Sequence, residues 1–95
     1  MGQLRKQAKA LSLQARRGDV SAARQLLSHS VRMGHRNLAV RRLFLALAMG
    51  ARNVEHEARY CAEIISVLPD ETIRKMMAEA RCNADIYTAR GNHDD

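Results

Sequence analysis

Gly18, Gly34 and Gly50 stand sixteen residues apart, and no other feature limits the fold of this chain as much. Glycine accepts the left-handed conformation that ends a helix, so a regular series of glycines reads as a series of corners. Sixteen residues hold one helix of three to four turns and a tight turn. The frames around the last two glycines nearly repeat, Met33-Gly34-His35-Arg36-Asn37 and Met49-Gly50-Ala51-Arg52-Asn53. Pro69, the one proline of the chain, supplies a fourth corner, because proline cannot continue a helix but suits the first turn of the next.

Between these corners the apolar residues recur at helical spacing. The first helix is expected over 3–17, with Leu4, Ala8, Leu11 and Ala15 on one narrow face. The second opens at Asp19, a good N-cap, and turns Val20, Ala23, Leu27 and Val31 inward. Leu38 to Met49 is the most apolar stretch, broken only by Arg41 and Arg42. At about 100° per residue its large side chains fall on two opposite sides, which predicts a central helix with neighbours on both. The fourth helix is expected over 52–68, and the fifth from Pro69 to somewhere between Cys82 and Arg90. The fold class predicted is therefore all-α: about five short antiparallel helices in one domain over 1–90, with 91–95 as a flexible tail. The expected core is Leu27, Leu38, Leu43, Phe44, Leu47, Cys61, Ile65 and Ile73. Aromatic residues make up only 3% of the chain, so Leu, Ala and Met must fill that core. Met76 and Met77 are read as core as well.

The net charge of +6 divides unevenly. Residues 1–52 carry eleven Lys and Arg against one acid, and residues 53–95 carry five against nine. The basic side chains Arg5, Lys6, Lys9, Arg16, Arg17, Arg24, Arg32, Arg36, Arg41 and Arg42 form the candidate face for nucleic acid or an acidic protein surface. The alternative is neutralisation of one half by the other, either within the bundle, with Arg41 and Arg42 reaching Glu55 or Glu57, or across a salt-sensitive homodimer.

Little points to catalysis. His29, His35, His56 and His93 are scattered over outer faces and turns, and Cys61 and Cys82 lack metal-ligand spacing. Neither a metal nor any other cofactor is expected, and the chain reads as a non-enzymatic cytoplasmic protein with no membrane partner. The low aromatic content also disfavours single-strand binding by base stacking.

Gly18-Asp19-Val20, then Ala22-Ala23 and Leu26-Leu27, then Asn37 and Arg41-Arg42-Leu43-Phe44 resemble the loose pattern of the ANR family, small bacterial negative regulators of AraC-type transcription activators. A second fit of the pattern's end places Asn53 before Glu57-Ala58-Arg59-Tyr60-Cys61. Both tryptophan positions of the pattern hold other residues. The resemblance covers 18–61 and implies a regulator that acts by binding a transcription factor. The sixteen-residue interval, doubled, also resembles tetratricopeptide-like hairpins, which implies an adaptor. Direct nucleic-acid binding through the basic half is the alternative function.

Overall fold

The computed structural model describes the backbone of residues 2–91 and the side chains of 6–90. Five helices follow one another, α1 (Gly2–Arg16), α2 (Val20–Met33), α3 (Arg36–Ala48), α4 (Glu55–Ile65) and α5 (Asp70–Gly91). No strand occurs among the described residues. The Cα radius of gyration is 13.1 Å, about the value of a compact domain of 100 residues. The side chains of Leu4 and Arg5 and the tail residues 92–95 lie outside the described set; Gly91 belongs to α5.

The three glycine corners are built alike. After α1 the Asp19 N–H donates to the Gln14 carbonyl and Gly18 to Ala15. After α2 His35 donates to Ser30 and Gly34 to Val31; after α3 Ala51 donates to Ala46 and Gly50 to Leu47. Each is the paired bond pattern that closes a helix on a left-handed residue, and φ is +93° at Gly18, +72° at Gly34 and +93° at Gly50. The Asp19 carboxylate then caps α2 by accepting from the Ala22 N–H at 3.1 Å. α4 starts three residues later than its periodicity predicts, because Asn53 has a φ of +61°, which a right-handed helix cannot contain. It also stops at Ile65, and 66–68 turn toward Pro69.

α3 packs against α2, α4 and α5. Ala22, Ala23, Leu26 and Leu27 of α2 and Ala39, Val40, Leu43 and Ala46 of α3 are all buried. Val54, Cys61, Ile64 and Met76 extend this core, and Phe44 and Ile65 pack against it half-buried. Ile73 is also half-buried. Two expected core residues are not core: Leu38 is 40% exposed and Leu47 48% exposed. The buried face of α3 is formed by Ala39, Val40, Leu43 and Ala46, and Leu38 and Leu47 fall at its margins. The methionine pair is split in the same way, with Met76 at 5% and Met77 at 53% exposure.

Candidate binding surfaces

The predicted basic residues do not converge on one patch. Lys6, Lys9, Arg16, Arg17, Arg24, Arg32, Arg36 and Arg41 are all exposed, and of these Arg24 and Arg32 share a groove. That groove, of about 560 Å³, runs between α1 and α2, with Gln7, Leu11 and Gln14 on one wall and Gln25, Ser28 and His29 on the other; Asn53 and Glu57 close one end. Lys9 and Arg16 follow Gln7 and Gln14 by two residues each, about 200° of helical turn, so they project from the far side of α1.

Arg42 corrects two expectations at once. Its guanidinium is not on an outer basic face and does not reach Glu55 or Glu57. It turns back to α2, donating to the Leu26 carbonyl at 3.2 Å and to the hydroxyl of Ser30. Ser30 is fully buried, and burial lowers the Arg42 pKa from its ordinary value. A buried hydroxyl and a spare carbonyl lone pair thus gain a charged donor, the stronger kind of hydrogen bond. Neither residue type nor spacing announced this contact. The only hint was a serine placed on the inward face of an otherwise apolar helix.

His29 was also misplaced by sequence reasoning. Both ring nitrogens are shielded from solvent, and neither has a hydrogen-bond partner. Its pKa is lowered from 6.5, chiefly by burial and further by Arg42, Arg32 and His35, so the ring is held neutral. Cys61 is buried, and its pKa is raised by burial and by the nearby Glu57 carboxylate, whereas Cys82 is exposed. Among the described residues no group of three His, Cys, Asp or Glu side chains is placed to hold a metal ion. Among the described residues no helix is long and apolar enough to cross a membrane.

The neutralisation of one half by the other within the chain is not found. Among the described residues the one ion pair is Lys75–Glu71, within α5, at 3.9 Å and well exposed. Among the described residues no ion pair joins the basic first half to the acidic second half.

A second surface lies between α3 and α5. Phe44, Leu47, Ala48, Met77 and Ala78 line an open, mainly apolar groove of about 440 Å³, with Arg81 at its rim. Leu47 and Met77, two of the three large side chains expected in the core but exposed, both line it. No family model, curated protein or solved structure matches the chain, so the geometry of these surfaces is what bears on function.

Proposed function

We propose that this chain is a non-enzymatic regulator that works by binding another protein, and that the α3–α5 groove seats an amphipathic helix of that partner. The observation that carries the proposal is the pairing of half-exposed Leu47 and Met77 around half-buried Phe44 in one groove. Helix-in-groove recognition uses this arrangement, an apolar trough for residues spaced three and four apart. A methionine in the wall lets the trough adapt to its guest. Arg81 at the rim adds a requirement: the guest helix should carry a carboxylate beside its apolar stripe. A transcription activator, the partner class implied by the ANR-like residues, fits this description.

A second reading rests on a different observation. Arg24 and Arg32 are exposed, unpaired and on one groove, which suits the phosphates of a nucleic acid. No aromatic residue lines that groove, so any such binding would be electrostatic rather than base-selective.

Fluorescence anisotropy separates the two. A labelled acidic amphipathic peptide should bind at physiological salt, and Met77→Glu with Leu47→Glu should abolish that binding while Arg24→Glu with Arg32→Glu should not. Tight duplex DNA binding that persists at physiological salt, with no peptide binding, would reverse the order of the two readings.

A further inference from the structure

Two of the helices carry exposed charges of opposite sign at the same spacing. On α2, Arg24 and Arg32 are eight residues apart, with Ser28 midway. On α4, Glu55 and Glu63 are eight residues apart, with Arg59 midway. Eight helical residues span about 12 Å, so the two stripes have the same length and opposite charge. All four charged ends are exposed, and none forms an ion pair among the described residues. α2 and α4 are also in contact with each other, so each copy carries its positive and negative stripes on neighbouring helices.

We infer that the chain forms a two-fold homodimer in which Arg24 and Arg32 of each copy pair with Glu55 and Glu63 of the other. A two-fold contact is self-complementary: what the first copy offers the second, the second returns. Laid along α2 of a second copy in either direction, α4 places Arg59 opposite the Ser28 hydroxyl and both glutamates opposite both arginines. Glu55–Arg59–Glu63 could in principle be satisfied within α4, where charges four apart are neighbours. In the structure those pairs are not closed, which leaves the carboxylates available. The contact uses none of the residues that line the α3–α5 groove, so self-association and capture of a partner helix are separable.

The spacing makes a test available that nonspecific charge attraction would fail. Sedimentation velocity at low salt should give a dimer for the unmodified chain, with the dissociation constant rising at least tenfold as salt reaches about 0.5 M. Arg24→Glu with Arg32→Glu should be monomeric under the same conditions, and so should Glu55→Arg with Glu63→Arg. Mixed in equal amounts, the two variants should form a heterodimer, because every opposed pair is then again of unlike sign. Circular dichroism should give native helicity for both, since all four positions are exposed. A monomeric unmodified chain at low salt, a dimer unaffected by salt, or a mixture that stays monomeric would each overturn the inference.

Discussion

The two flanks of α3 are built from the same residue types and end up in opposite states. Toward α2, small residues meet small residues, and Ala22, Ala23, Ala39 and Ala46 are sealed with at most 1% exposure. Toward α5 the match fails. That helix is 22 residues long, yet among its described residues it buries only Met76, Ala80 and Ala84, and Leu47 and Met77 both line an open trough. The backbones of α3 and α5 also come close, so the difference lies in the large side chains: Leu47 and Met77 stay half-exposed where no neighbour covers them. The sealed flank carries the stability, and the open flank is the surface left over for binding.

The sharpest way to break this contrast is to cut the same side chain on each flank. Leu27 is fully buried, so Leu27→Ala should cost about 2–5 kcal/mol. Leu47→Ala, at a position 48% exposed, should cost less than about 1 kcal/mol in urea unfolding of the dilute chain. Equal losses would mean that the α3–α5 flank is closed in solution. Arg42→Ala comes next in size. It leaves the Ser30 hydroxyl buried without its donor, and unfolding should report a loss of about 1.5–3 kcal/mol.

These cases also mark what the sequence could convey. The corners at Gly18, Gly34 and Gly50 were legible because one backbone requirement, positive φ, selects one residue type. The buried face of α2 was legible for the same kind of reason, a regular period. Leu38 and Leu47 were misread because hydrophobicity says that a residue tolerates burial, not that a neighbour will come close enough to bury it. Arg42 was misread because its charge suggested solvent or a carboxylate, whereas its acceptors are a serine and a carbonyl, which carry no sequence signature. The α1–α2 groove was only half legible, since the periodicity located Arg24 and Arg32 but gave no sign of the shielded ring of His29.

That ring gives a pH-dependent prediction at the α1–α2 groove. The folded His29 pKa lies below 6.5, so the unfolded chain binds its proton first as pH falls. Its contribution to stability is complete above pH 6.5 and is lost as pH drops from there through the folded value. The urea midpoint of the unmodified chain should fall relative to that of His29→Gln as pH drops below about 6.5. A midpoint difference that stays constant with pH would show that His29 is not held neutral. A smaller effect than that of Leu27→Ala is expected at a corner. A Cβ at Gly34 or Gly50 would meet nothing within 4 Å, so Gly34→Ala should cost only the left-handed backbone penalty, about 1–2 kcal/mol, and Gly34→Asn less.

The open flank itself is tested most directly by the adjacent methionines, which are chemically identical and differ in exposure tenfold, 5% for Met76 against 53% for Met77. With both ε-methyl groups labelled with carbon-13, an acidic amphipathic peptide is titrated into the chain at physiological salt and followed by NMR. The account predicts a saturable shift of the Met77 methyl resonance while Met76 barely moves. A Met77 resonance that stays put while the peptide binds elsewhere, or shifts only at His29 and the Arg24–Arg32 groove, would contradict it.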